Sequence, residues 1–416
     1  MHINAGGGIP MAQRKKKEKW LKFRHRIVRN ILFATLGPYT RIRYRIKIDA
    51  FKEQGDRQYL ILLNHTTPFD QFFVGLSFKG PIYYLATEDI FSKGFVSKII
   101  KYLVAPIPIK KQTNDVAAVL NCLRVAREGG TLCIAPEGNR TYSGKTEYMN
   151  PTIAQLAKRL RLPIALYRIE GGYGTHPRWS DVVRKGKMHS YVSRVIEPEE
   201  YKLMTDDELN EVIREGLYVN DARADTKFIH KRRAEYLERA VYVCPFCGLA
   251  EFESDKARIR CKRCNRVVEY GETTELSGVG FEFPFKFVND WYNYQQDFVN
   301  SLDLSSYFES AIFEDVADFS EVIVYKNKVL LKKDARISLF GNRIVINDGE
   351  SDEMRFDFDK VTAVSVLGRN KLNIYCDNRV YQLGGSTRLN SLKYVNIFYR
   401  YKNICKGDEN EQFLGL

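Results

Sequence analysis

No stretch of this sequence is long and apolar enough to cross a bilayer. The longest apolar runs, such as Ile31–Leu36 and Tyr59–Leu63, fall far short of the roughly 18–20 residues a spanning helix needs. No apolar segment with a small-residue cleavage site follows the basic N-terminal stretch, so a secretory signal is not expected. Low-complexity tracts are absent as well. With 44% hydrophobic and 28% charged residues, the composition is that of a folded chain. At 416 residues it exceeds what one core usually supports, so two or three domains are expected. Without a secretory signal, the eight cysteines are expected in a reducing cytosol, where disulfides are rare.

Acidic residues are nearly missing from residues 1–48, where thirteen Lys and Arg stand against Glu18 alone. That segment carries most of the net charge of +14, and the rest is close to neutral. Such an arm suits nucleic acid, anionic lipid or an acidic protein. Trp20, Phe23, Ile27 and Ile31, joined by Val28 and Leu32, recur at helical spacing, with Lys19, Lys22, Arg26 and Arg29 on the remaining face. This pattern predicts a helix lying flat on an anionic membrane surface, the alternative being a basic helix docked on its own domain. A phosphate-tracking arm has no use for the apolar stripe, so no nucleic-acid partner is expected.

Residues 49–240 alternate short apolar strands with helical patterns, which predicts an α/β domain with a mixed sheet flanked by helices. Tyr59–Leu63, Thr131–Ala135 and Leu162–Tyr167 read as strands. Thr113–Arg127 reads as an amphipathic helix closed by Gly129-Gly130, and 201–240 as a closing helix and linker. Residues 241–272 form a cysteine-rich module. Residues 273–416 predict a small antiparallel β domain with a C-terminal helix over Ser391–Asn403. Its strands are Val322–Tyr325, Val329–Lys332, Arg336–Phe340, Arg343–Ile346, Met354–Phe358, Ala363–Val366, Leu372–Tyr375 and Val380–Leu383. The alternating aromatics Phe281–Phe287 read as a half-buried strand.

The strand at 59–63 runs into Asn64-His65-Thr66-Thr67-Pro68-Phe69-Asp70. Thr67 suits an N-cap and Pro68 the first helical position, and the turn folds Asp70 back toward His65. A carboxylate on one ring nitrogen fixes the tautomer and leaves the other nitrogen basic. Asp70 also fits the acidic position of a capping box on Thr67, and both readings are open at this point. The strand at 131–135 ends in Pro136-Glu137-Gly138-Asn139-Arg140, where glycine permits a tight turn beside a guanidinium suited to phosphate.

Together these motifs resemble the glycerolipid acyltransferase superfamily, which includes lysophosphatidic acid and glycerol-3-phosphate acyltransferases. Its N-H-x4-D signature is matched by Asn64, His65 and Asp70, and its P-E-G-[TN]-R signature by Pro136 to Arg140. Val104–Lys111 takes the place of a Pro-and-basic signature, with Lys110 and Lys111 where arginine is usual. Leu162-Pro163-Ile164-Ala165 takes that of a fourth. The resemblance covers about residues 45–215. It implies His65 as general base, Asp70 as its orienting partner, and Glu137, Gly138, Asn139, Arg140, Lys110 and Lys111 as acceptor-binding residues. It further implies an acyl-CoA or acyl-carrier-protein donor, a lysophospholipid acceptor such as 1-acylglycerol-3-phosphate, and no catalytic cofactor. A cytoplasmic protein, peripheral on the inner face of the cell membrane, follows as an expectation. A non-catalytic lipid-binding scaffold on the same fold is the alternative. The C-terminal domain resembles pleckstrin-homology-like or GRAM-like domains in pattern.

Cys244-x2-Cys247 and Cys261-x2-Cys264, thirteen residues apart, have the spacing of two knuckles around one structural Zn2+ and resemble a zinc ribbon. Its basic residues interleave with acids, which suits protein contact or scaffolding.

Overall fold

The computed structural model describes residues 19–109, 115–323, 326–408 and 414. Lys110, Lys111 and the basic residues 14–17 lie outside the described residues. The apolar runs of the N-terminal half become a seven-stranded sheet of β1 (Ile46–Ile48), β2 (Leu60–Leu63), β3 (Ile82–Thr87), β4 (Ile107–Ile109), β5 (Thr131–Ile134), β6 (Ile164–Glu170) and β7 (Met188–Ile196). The order is β1-β7-β6-β2-β5-β3-β4, and only β6 and β7 pair antiparallel. All residues of β2 and β5 are buried, as expected of central parallel strands covered on both faces. These strands are neighbours, so the segments after residues 63 and 134 emerge side by side at the carboxyl edge, where open α/β sheets bind ligands.

The helices of this half are α1 (Phe23–Tyr44), α2 (Asp70–Ser77), α3 (Glu88–Phe91), α4 (Phe95–Val104), α5 (Val116–Arg127), α6 (Thr152–Leu160), α7 (Gly172–Thr175), α8 (Pro198–Tyr201) and α9 (Asp206–Leu217). α5 starts where the Asp115 side chain accepts from Ala118 N–H, and α9 where Thr205 and Glu208 form a reciprocal capping box. α1 and β1 fall within the segment 1–48 read from the sequence as a separate arm, yet β1 is an edge strand of the sheet.

The N-terminal segment departs from its expected role at two side chains, Trp20 before α1 and Arg29 within it. Trp20, expected in the lipid-facing stripe, is docked on its own domain: its indole donates to Ala105 O at 3.1 Å, and its backbone N–H donates to Glu128 at 2.7 Å. Arg29, expected on the charged face, turns inward to the carbonyls of Gly75 and Phe78 at 2.9 and 2.6 Å. Phe23, Ile27 and Ile31 stay exposed.

After α9, residues 218–240 do not form a linker. Ala222, Phe228, Ala234 and Leu237 are buried along this irregular stretch, and three of them join the core shared with the C-terminal half. That core runs without a break from Tyr142, Tyr173 and Trp179 through the cysteine module to the last helix. Arg239, 2% exposed, bridges the parts by donating to Trp179 O at 2.9 Å, Asp181 Oδ1 at 2.7 Å and Thr387 O at 2.8 Å.

The cysteine module contributes β8 (Val243–Cys244), β9 (Gly248–Leu249), β10 (Phe252–Asp255), β11 (Arg258–Cys261), β12 (Val267–Tyr270) and β13 (Leu276–Gly278), the last four forming one sheet. Phe281–Phe287, expected as a strand, is irregular apart from one bridging residue. Pro284 denies it a donor, and its rings pack edge-on instead, with Phe283 5.0 Å from Trp291. α10 (Val288–Asn300) follows, an element the sequence reading lacked.

The C-terminal domain has seven antiparallel strands, β14 (Phe313–Glu321), β15 (Val329–Leu339), β16 (Arg343–Ile346), β17 (Met354–Asp357), β18 (Val361–Leu367), β19 (Lys371–Cys376) and β20 (Arg379–Gly384), in the order β17-β16-β15-β14-β20-β19-β18. α11 (Ser391–Lys406) closes it, capped by Asn390 and ended by Gly407 at φ 75°. The two strands expected at 329–332 and 336–340 are one: Asp334 takes a left-handed φ of 49° and the chain passes through it within β15. The strand expected at Val322–Tyr325 begins instead at Phe313 as β14, with 324–325 outside the described residues.

Candidate active site

His65 stands at the carboxyl edge beyond β2, and its Nδ1 lies 2.7 Å from Asp70 Oδ2. Its side chain is 30% exposed, whereas that of Asp70 is 2%. Asp70 also accepts from the backbone N–H groups of Thr66 and Thr67, at 2.8 and 3.0 Å, and from the Thr67 hydroxyl at 2.6 Å. It is therefore both the capping-type carboxylate and the partner of His65. Because Thr67 is held in that turn, α2 starts at Asp70 with Phe69 at its N-cap, two residues later than the sequence spacing predicts. Asn64 locks the turn to β6 by a pair of 2.8 Å bonds with Ile169.

Glu137 follows β5 and reaches the same turn. One carboxylate oxygen accepts from His65 N–H at 2.8 Å, the other from Glu147 N–H at 3.1 Å. Burial pushes its carboxyl up to about 8, against the pull of those two donors. Glu137 positions the His65 backbone. Gly138 turns the chain at φ 69°. Asn139 Oδ1 accepts from Arg178 Nη2 at 3.1 Å, so this side chain is engaged within the protein. Arg140, 8% exposed, has an Nη1 with no hydrogen-bond partner. Burial first, and then Arg178 and Arg369, pull its pKa down to about 10. A buried, charged guanidinium with a spare donor is arranged to receive an anion.

A histidine–carboxylate pair beside that guanidinium can take a proton from a hydroxyl on a substrate that carries negative charge. The family model described as acyltransferase matches residues 43–168, which spans β2, the His65 turn, β5 and Arg140. Residues 43–168 are an acyltransferase-family domain. No curated relative matches the chain. Among solved structures, a 1-acyl-sn-glycerophosphate (LPA) acyltransferase, PlsC from Thermotoga maritima, is similar over 46% of this chain and 76% of its own, at 18% identity and a TM-score of 0.39.

Four residues around the acyltransferase site escaped the sequence reading: Tyr44, His176, Arg178 and Arg369. Arg369 Nη2 donates to His176 Nε2 at 3.0 Å. A guanidinium can only donate, so the ring proton of neutral His176 sits on Nδ1 and Tyr44 OH accepts it at 2.8 Å. His176 stays neutral, since burial and then Arg140 and Arg369 drive its pKa down to about 3. The signal for this loop was Gly171-Gly172-Tyr173-Gly174: a Cβ on Gly172 would sit 2.2 Å from Thr66 Oγ1, so glycine lets the loop close on the His65 turn.

The four cysteines form a separate centre. Their Sγ atoms all lie within 4.8 Å of one another, with Cys244–Cys264 at 3.7 Å and Cys247–Cys261 at 3.6 Å. A tetrahedral thiolate shell with metal–sulfur bonds of about 2.3 Å has edges of about 3.8 Å, so these cysteines fit a structural zinc ion. Each knuckle ends on a residue of positive φ, Gly248 at 76° and Asn265 at 59°. The ribbon's basic side chains are paired locally, Arg260 with Glu253 at 3.2 Å and Lys262 with Glu251 at 3.0 Å.

Proposed function

We propose that this protein transfers a fatty acyl group from an acyl-CoA or acyl-carrier-protein thioester to the free hydroxyl of 1-acylglycerol-3-phosphate. The observation that carries the reading is the His65–Asp70 pair at 2.7 Å beside a buried Arg140 with an unpartnered Nη1. In this reading the acceptor hydroxyl attacks the thioester carbonyl while Nε2 of His65 removes its proton. Asp70 holds the proton on Nδ1 and stabilises the imidazolium. The C–S bond then breaks, and the leaving thiolate takes the proton back from His65. Arg140 holds the acceptor's phosphate.

The test is to assay purified protein with both thioester classes against lysophosphatidate, other lysophospholipids and monoacylglycerol. Lysophosphatidate is expected to be the preferred acceptor. Arg140→Ala is expected to raise its KM by about 10- to 100-fold, the worth of one charge-assisted hydrogen bond. Equal use of monoacylglycerol by wild type and Arg140→Ala would remove phosphate from the reading.

The same reading places the protein on the cytoplasmic face of an anionic membrane. Phe23, Ile27, Ile31 and Ile42 of α1 and Phe95, Val96 and Ile99 of α4 are exposed, and Arg24 ties the two helices by donating to Tyr102 O at 2.8 Å. Tyr39 and Tyr44, further along α1, pack on Phe69 of the His65 turn at 6.4 and 5.3 Å, so this face leads to the site. Burying one such side chain in lipid is worth about 1.5–3 kcal/mol. Ser at Phe23 and Ile31 together is therefore expected to cut binding to anionic liposomes in high salt by about tenfold or more. Trp20→Ser should instead lower the melting temperature. Liposome binding untouched by Phe23→Ser with Ile31→Ser would move the contact elsewhere.

A further inference from the structure

The three residues 368–370 join β18 to β19 as a hairpin tip, and this tip of the C-terminal domain rests on the acyltransferase site. One buried guanidinium makes the joint: Arg178, 1% exposed, donates to Arg140 O at 2.9 Å and to Gly368 O at 2.8 Å. Two residues beyond Arg140, the Tyr142 hydroxyl donates to Arg369 O at 2.9 Å. The backbones of Arg140 and Gly368 are thus fixed on either side of a single side chain, with Arg369 held next to them by Tyr142.

The Arg369 side chain extends from this tip to Asp181 Oδ1 at 2.8 Å and His176 Nε2 at 3.0 Å. It is 30% exposed, unlike Arg178 and Arg239, which join the domains at 1% and 2%. Asp181 already accepts from Arg239, so the interface is held without Arg369. Arg178 and Arg369 both repel Arg140, whose spare donor has nothing to bond. Confining like charges in a low dielectric is unfavourable unless an anion joins them.

We propose that Arg369 binds the acceptor's phosphate monoester together with Arg140, so that the C-terminal β domain completes the acyltransferase site. This rests on the reading of the acceptor as a phosphate-bearing lysolipid. A guanidinium from each domain grips a dianion from two sides, and a phosphate-free acceptor leaves both cations unopposed. Selection for phosphate is then a property of the joined domains.

The experiment uses the full chain and three variants, Arg369→Ala, Arg369→Lys and Asp181→Asn. The last removes an interface partner while keeping the guanidinium. Arg369→Ala is expected to raise KM for lysophosphatidate at least tenfold with kcat within twofold, and to lower the kcat/KM preference over monoacylglycerol at least tenfold. Arg369→Lys should recover part of the loss, and Asp181→Asn should keep KM within twofold. An unchanged KM in Arg369→Ala, or equal losses in Arg369→Ala and Asp181→Asn, would overturn the proposal and leave Arg369 an interface residue. If the wild type acylates no lysophospholipid, the acceptor reading fails by itself. Calorimetry with glycerol 3-phosphate then decides: binding weakened tenfold in Arg369→Ala upholds the site, and equal or absent binding overturns it.

Discussion

His65→Ala is expected to lower kcat by about 10³- to 10⁴-fold, the range that a positioned general base with its orienting carboxylate contributes. The size follows from how completely the ring is fixed. Asp70 accepts from Nδ1–H at 2.7 Å, Glu137 accepts from the His65 backbone N–H at 2.8 Å, and the His65 carbonyl accepts from Thr141 N–H at 3.2 Å. Two segments, the start of α2 and the turn at 137–141 after β5, thus aim one side chain. Asp70→Asn should cost nearly as much, since an amide presents the wrong hydrogen-bonding pattern to Nδ1–H. It should also cost some stability, because Asp70 holds the Thr66 and Thr67 N–H groups. Melting temperature and kcat measured on both variants separate these effects. His65→Ala should melt near wild type while losing turnover, and wild-type turnover in that variant would end the general-base mechanism.

What could be read from the sequence was local. The strands around Leu60–Leu63 and Thr131–Ile134 were legible because central parallel strands are apolar throughout, and the motifs after them because chemistry is concentrated in short turns. The zinc-type spacing was legible for the same reason. The second half of the site was not. Arg369 lies 229 residues beyond Arg140, and nothing in a hairpin Leu-Gly-Arg-Asn announces which surface its tip will meet. The burial of Arg178 between two backbone carbonyls, and the Tyr142 hydroxyl on Arg369 O, bring them together. Trp20 misled in the opposite way. Its helical spacing suits a lipid-facing stripe, but its indole N–H found Ala105 O, and a tryptophan with a partner for its N–H is better buried than wet. Phe281–Phe287 failed because alternation alone cannot separate a strand from a loop whose rings pack edge-on against a neighbouring helix.

The second large effect is expected at the cysteines. A structural zinc site of this type is worth about 10–16 kcal/mol of apparent binding free energy, comparable to the whole stability of a domain, which runs to about 5–15 kcal/mol. Cys261→Ser is therefore expected to abolish tight zinc binding and to unfold the region around β10 to β13, read as lost amide-exchange protection. The damage should not stop there. Cys244 and Cys261 belong to the same continuous core as Tyr142, Trp179, Ile374 and Leu392. Arg239, just before the first knuckle, clamps Trp179 O and Thr387 O across the two halves. Loosening the ribbon frees that clamp and unseats the hairpin bearing Arg369. Zinc removal is therefore expected to raise KM for the phosphate-bearing acceptor before it lowers kcat, since His65 and Asp70 hang from a different sheet. Elemental analysis, thermal unfolding and steady-state kinetics on the chelated protein check the sequence of events. One equivalent of tightly held zinc in Cys261→Ser, or zinc-free protein with wild-type melting and KM, would sever the ribbon from both the fold and the site.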